Sequence, residues 1–223
     1  MKQSNRPFLI AVTGGIASGK TLVSEWFEEK GYKVFYADKI GHKFLDDEDI
    51  INKLTEKFGE DISEKAKINR KELGQIVFGS KEKLYFLNQL LHPKIRKEMQ
   101  RIIDEFTETR VGFDEQTRLW FPILILEIPL LFENKLEKAF DLVLNISSEK
   151  SIQIKRIIKK RKISEKRAKQ IIDSQMSDFE KQKLADVNIE NNLSLENLYE
   201  KLENQLQIIK KMKPGNIKRL NEI

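Results

Sequence analysis

Short apolar runs punctuate a polar chain, and their spacing predicts alternating strands and helices. Phe8-Leu9-Ile10-Ala11-Val12-Thr13 is apolar almost throughout and too short for a helix, the pattern of a strand buried on both faces. A glycine-rich turn follows. Leu22, Val23, Trp26 and Phe27 then recur at helical spacing until Gly31 stops the helix. Val34-Phe35-Tyr36 reads as a second strand, with Asp38 just beyond its C-terminal end. A strand–helix–strand unit in the first forty residues predicts a parallel sheet.

From about 40 to 115 the chain reads as largely helical, with no strong strand. Asp46-Asp47-Glu48-Asp49 suits a helix N-terminus, where carboxylates meet the positive end of the helix dipole. A long helical pattern from Lys83 to Thr109 is expected to break or kink at His92-Pro93. Strand signals return at 121–128 and 142–146, and Ser147 or Ser148 is the expected cap of a basic helix. Ser164 is the expected cap of another, ending near Ser177. A weak strand at 187–189 precedes a final helix from about Ser194 to Met212, and the last ten residues are expected to fray.

This order predicts an open three-layer α/β/α sheet with a helical insertion. The core is expected at 1–39, 116–149 and 180–213, the insertion at 40–115, and a mobile helical excursion at 150–179. Ligands in such sheets bind at the carboxyl ends of the strands, so residues just after strands become candidates.

Composition narrows the chemistry. The chain of 223 residues is 39% hydrophobic and 34% charged, has no cysteine, and has two histidines, His42 and His92. Thiolate nucleophiles, disulfide frameworks and cysteine zinc sites are thereby removed. No apolar run approaches the roughly 20 residues that span a bilayer, and Lys2 and Arg6 precede too short an apolar stretch for a signal. A cytoplasmic protein without membrane partners is expected. The net charge of +6 is local: between Lys150 and Lys169 ten Lys or Arg stand against one acid, Glu165, leaving the rest of the chain at −3. That segment has no aromatics for base stacking, so no nucleic-acid partner is expected.

Gly14-Gly15-Ile16-Ala17-Ser18-Gly19-Lys20-Thr21 matches the Walker A pattern in full. Its glycines let backbone N–H groups turn inward around phosphate oxygens, and the following helix, from Leu22 onward, points its dipole at the same anion. Lys20 is then placed to neutralise the β- and γ-phosphates of ATP, and the Thr21 hydroxyl to ligate Mg²⁺. The guanine-reading string of GTPases is missing; Asn134-Lys135-Leu136-Glu137 is a poor match and follows no clear strand. A carboxylate beyond the second strand and an arginine-rich lid instead suit a small-molecule kinase. Another nucleoside or nucleotide kinase is the alternative, and a nucleotide-binding switch a more distant one.

Several further strings occur in a telling order: Thr13-Gly14-Gly15-Ile16, Ala37-Asp38, Leu91-His92-Pro93 with Arg96, Ile128-Pro129-Leu130-Leu131-Phe132-Glu133, Gln153-x-x-Arg156, Gln175, and Lys183 to Asn192. From about residue 8 to 193 the chain resembles the dephospho-coenzyme A kinases. The resemblance implies a P-loop kinase fold with a helical acceptor-binding insertion and a lid at 150–179. It implies ATP-dependent phosphorylation of the ribose 3′-hydroxyl of dephospho-coenzyme A, the last step of coenzyme A synthesis, by a monomer or weak homo-oligomer. Tyr36 stands where family members commonly carry the first Asp of Asp-Ala-Asp. The second lid arginine falls at Arg161 with Lys160 before it, and Leu193 replaces a glycine.

On this resemblance Asp38 is the general base toward the acceptor hydroxyl. Arg156 and Arg161, with Lys160, close over the triphosphate. His92 and Arg96, one helical turn apart, face the acceptor's phosphates. Glu127 at a strand end helps hold Mg²⁺, with Glu133 a weaker candidate, and Asn191 reaches the adenine end.

Overall fold

The computed structural model describes residues 6–64, 67–78, 80–109 and 121–223. In chain order its elements are β1 (Phe8–Gly14), α1 (Lys20–Glu29), β2 (Lys33–Tyr36), α2 (Ala37–Phe44) and α3 (Glu48–Phe58). A two-residue pair follows, β3 (Ser63–Glu64) and β4 (Lys67–Ile68), then α4 (Arg70–Phe78) and α5 (Lys81–Thr109). The remainder is β5 (Ile123–Glu127), β6 (Leu142–Ser147), α6 (Lys150–Arg161), α7 (Glu165–Asp173), α8 (Asp178–Leu184), β7 (Val187–Glu190) and α9 (Leu195–Ile209).

Five strands form one sheet in the order β2-β5-β1-β6-β7, each neighbouring pair parallel. The three central strands are buried at every position, in keeping with their largely apolar sequences. Edge strand β7 alternates, burying Ile189 while Asn188 and Glu190 face solvent. Val23, Trp26 and Phe27 of α1 and Leu198, Leu202, Leu206 and Ile209 of α9 complete the core on the sheet.

The chain divides into two compact units: up to Tyr36 together with Ile103 onward, and Ala37–Ile102. The second unit has its own apolar core, including Ile50, Leu54, Ile62, Leu73 and Val77. The insertion was expected to end at 115, a position outside the described residues; the second unit ends at Ile102. Helices α6 to α8 belong to the first unit.

Several local expectations need correction. Helix α5 runs on through Pro93 as one 29-residue helix. A proline removes one backbone hydrogen bond, but Leu91 before it and Met99 and Ile102 after it are buried, so the apolar stripe continues past the break signal. Neither Ser147 nor Ser148 caps α6. Glu149 holds that position without a capping side-chain bond; the Ser148 hydroxyl lies instead 3.0 Å from the Asn191 carbonyl and 3.1 Å from Asn192 Oδ1. The helix capped by Ser164 ends at Asp173, and a separate α8 begins after Ser177, whose hydroxyl and Glu180 form a capping box. The C-terminal residues are pinned: Leu220 is buried, and the Gly215 N–H donates to Asp141 at 2.7 Å.

Candidate active site

The loop between β1 and α1 is shaped by backbone that few side chains tolerate. Gly19 sits at φ +108°, and a Cβ there would fall 2.2 Å from Nδ2 of Asn191. That same Nδ2 donates to the Ser18 carbonyl at 2.8 Å, so Asn191 can lie under the loop only because residue 19 has no side chain. Ala17 also takes a left-handed conformation, φ 59°, which costs free energy for a residue with a Cβ. Such conformations survive where surrounding contacts over-determine them, and here those contacts come from outside the loop.

Arg156 on α6 supplies most of them. Its Nη1 donates to the carbonyls of Ala17 and Ser18 at 3.2 and 3.4 Å, and its Nη2 to the carbonyl of Asn191 at 3.0 Å. The guanidinium therefore binds together the phosphate loop and the chain leaving β7. Lys20 is buried, with Nζ 2.8 Å from the Gly15 carbonyl. Helix α1 begins at Lys20, so its first-turn N–H groups and the positive end of its dipole point back toward the loop.

Thr21 and Glu127 meet across the sheet. The Thr21 hydroxyl donates to Oε1 of Glu127 at 3.1 Å, and Glu127 is the buried last residue of β5. Glu133 is engaged elsewhere: it pairs with the fully buried Lys181 at 2.8 Å and accepts the Met176 N–H at 3.1 Å. Tyr36 does not supply a carboxylate's chemistry either. Its hydroxyl donates to Glu28 at 2.9 Å, and burial, that bond and nearby carboxylates push its ionisation well above the ordinary phenol range.

Over the loop lies a cleft of about 450 Å³ whose lining includes Lys20, Thr21, Arg156, Lys160, Arg161 and Asn191. Lys160 and Arg161 are exposed at the end of α6, whereas Arg156 is half-buried and bonded to the loop. Asn191 lines the same cleft, but its amide is tied to the loop carbonyl. Leu22, Leu193 and Leu195 add apolar surface.

The remaining candidates belong to the second unit. Asp38 is exposed in the first turn of α2, where its charge meets the positive end of the helix dipole. His92 and Arg96 are half-buried one turn apart on α5. Burial, with a smaller contribution from the Arg96 charge, pulls the His92 imidazole below its ordinary value, so it is neutral at neutral pH. It can donate to an anion as a hydrogen-bonding group, while Arg96 carries the charge.

Asp178 was not singled out from the sequence, and Gln153 and Gln175 only as matches to family strings. Asp178 on α8 lies against Gly15; burial raises its carboxyl, opposed by the Ser148 N–H and the charges of Lys181 and Lys20. Among the described residues no three His, Asp or Glu converge as a metal cluster, and no helix is long and apolar enough to cross a membrane.

A parallel sheet with a Walker A loop after its first strand and a cationic helix beside it is the architecture of the P-loop kinases. Residues 8–197 match the dephospho-CoA kinase family model, and the chain belongs to that family. It is 39% identical over 196 residues to a dephospho-CoA kinase from Fusobacterium nucleatum, covering 87% of this chain and 95% of the relative. The solved structure of a dephospho-CoA kinase from Campylobacter jejuni matches at a TM-score of 0.66 with 32% identity, over 91% of this chain and 97% of that one. A shikimate kinase from Acinetobacter baumannii shares the fold, with a TM-score of 0.53, 15% identity, and coverage of 93% and 96%.

Proposed function

We propose that the cleft over residues 14–21 holds the triphosphate of ATP and that Asp38 receives the proton of the acceptor hydroxyl. As a member of its family the chain phosphorylates the ribose 3′-hydroxyl of dephospho-coenzyme A at the expense of ATP, giving coenzyme A and ADP. The observation that supports the site assignment is the meeting of the loop backbone, Lys20 and Thr21 on one cleft, with the Thr21 hydroxyl bonded to Glu127 beside it.

Phosphoryl transfer asks mainly for alignment and for neutralisation of charge on the phosphate oxygens. Loop and α1 N–H groups take the β-phosphate, and the Lys20 ammonium balances the β–γ bridge. Lys160 and Arg161 approach from the exposed end of α6, with Arg161 the better match to a phosphate edge because its guanidinium is a planar fork. Arg156 keeps the loop in shape from beneath. Asp38, two residues past the C-terminal end of β2, is the base; in a reaction of this kind it sets orientation as much as it accepts the proton. His92 and Arg96 are assigned to the acceptor's phosphates, and 150–179 to the lid.

The donors near the loop fit Mg²⁺. A hydroxyl and a carboxylate are hard oxygen ligands, and this ion takes only one or two protein groups while retaining water and phosphate oxygens. Thr21 and Glu127 would hold it, and its charge would offset that of the triphosphate.

The test is ADP release with ATP and Mg²⁺ across a panel of acceptors: dephospho-coenzyme A, nucleoside monophosphates and shikimate. Turnover is expected with dephospho-coenzyme A at a kcat/KM at least about a hundredfold above the others, since binding energy from the rest of the acceptor lowers the barrier. A preference for any other acceptor overturns the assignment.

A further inference from the structure

The phosphate loop is held from two sides, and only one of them faces the cleft. On the other, Gly15 contributes to the wall of a second cavity of about 500 Å³, beside Gln153, Gln175 and Asp178. These three side chains are not among those lining the first cleft. A Cβ on Gly15 would fall 2.7 Å from Nε2 of Gln153 and 3.1 Å from Oδ1 of Asp178, so both press directly on the loop backbone. One residue further, the Ile16 N–H donates to Oε1 of Gln175 at 2.8 Å. That bond joins parts of the chain 159 residues apart.

Gln175 does not hang on a loose connection. The next residue, Met176, donates its N–H to Glu133, and Glu133 pairs with Lys181, fully buried on α8. Ser177 caps the same helix. The turn carrying Gln175 is therefore fixed to the chain that follows β5, and its side chain reaches from a firm base.

We propose that Gln175 is a positioning residue for phosphoryl transfer: it holds the Gly15–Ile16 peptide from behind and so fixes the direction in which the loop presents its N–H groups to phosphate. The proposal rests on the reading of residues 14–21 as the triphosphate site. Its physical basis is the loop's backbone, with positive φ at Gly14, Ala17 and Gly19. Glycine-rich peptides turn over readily, and a turned Gly15–Ile16 peptide would swing the Gly15 carbonyl away from Lys20 Nζ, now 2.8 Å from it, and redirect the N–H groups that follow in the loop. With its N–H held by Gln175 and its carbonyl by Lys20, this peptide is fixed at both ends, and the course of the loop that follows it is set.

The experiment is calorimetric titration of ATP, ADP and adenosine into the wild-type chain and into Gln175→Leu, Gln175→Glu and Lys20→Ala. Leu has similar bulk and no acceptor; Glu keeps an acceptor at the same reach. Gln175→Leu should weaken ATP and ADP about fivefold, as for one lost hydrogen bond, and leave adenosine unchanged, because adenosine offers the loop no phosphate. Gln175→Glu should restore at least half of the loss. Unchanged ATP affinity in Gln175→Leu, equal weakening of adenosine, or no rescue by Glu would overturn the proposal. Lys20→Ala separates the two readings: if it binds ATP like wild type, the triphosphate site itself is misplaced. Melting curves establish folding, and Gln175→Ala replaces Gln175→Leu if the latter does not fold.

Discussion

The two compact units place their polar side chains differently. Of the buried polar or charged residues described, eleven lie in the first unit and one, Gln100, in the second. Six of the eleven lie in or about the loop: Ser18, Lys20, Glu127, Ser148, Gln153 and Asn191. In the second unit the ion pairs Lys53–Asp49, Arg70–Asp46 and Lys94–Asp47 all have both partners at least a third exposed, and the interior is aliphatic. Solvated pairs contribute about 0–1 kcal/mol each, so that unit is held by its core. The difference teaches where preorganisation is required. A small, highly charged anion must be met by dipoles already aimed at it, and aiming dipoles means burying them with partners.

Gly19→Ala tests this contrast hardest. The new methyl would stand 2.2 Å from Nδ2 of Asn191 at a φ of +108°, so both the loop and the Asn191 contact must move. A displacement near an ångström at a reacting group costs on the order of a hundredfold in rate. Steady-state assays should show kcat/KM down by about that factor; a value near wild type would mean the loop is not preorganised by this contact. Leu54→Ala probes the other unit. Leu54 is fully buried in the aliphatic core, and truncation there costs roughly 2–5 kcal/mol. Urea unfolding should report that loss while ATP affinity, measured well below the melting temperature, stays within about twofold, since no buried polar network of the phosphate site is touched. A large fall in ATP affinity would erase the distinction between the units.

Legibility in the sequence follows the same division. The phosphate loop could be read because its backbone demands glycine at set positions, and the central strands because burial on both faces demands unbroken apolar runs. His92 and Arg96 carry no such local demand; their roles came from resemblance to a family, since a side chain on a helix can reach a ligand without imposing any pattern on its neighbours, whereas Asp38 was marked first by its place just past the second strand. Gln175 and Asp178 act across 159 and 163 positions of chain on Ile16 and Gly15, and no spacing rule spans such distances. The Ser177–Glu180 capping box was present in the sequence, at the point where the preceding helix was expected to end, and was not taken as the start of another. Pro93 misled in the opposite sense, because its local cost is outweighed by an apolar stripe on both sides of it.

The smallest predicted effect concerns Asp178, a charge lodged where the first unit needs shape more than charge. Burial outweighs the Ser148 N–H and the charges of Lys181 and Lys20, so its carboxyl holds its proton to higher pH in the folded chain than in the unfolded one. Stability must then fall as pH rises from the ordinary value of 3.8 through the raised folded value. Asp178→Asn removes the charge and keeps an acceptor for Ser148. At pH 7 its melting temperature should rise by about 2 °C, and the gain should vanish in acid, where the wild-type group is neutral in both states. His92 in the second unit has the opposite sign: its proton is lost more easily when folded, so its contribution weakens as pH falls below the ordinary 6.5. Melting curves of Asp178→Asn and of a His92→Gln variant over pH 3 to 8 should therefore diverge from wild type in opposite directions of pH. A lower melting temperature for Asp178→Asn at neutral pH would show instead that the nearby lysines, and not desolvation, govern this edge of the loop.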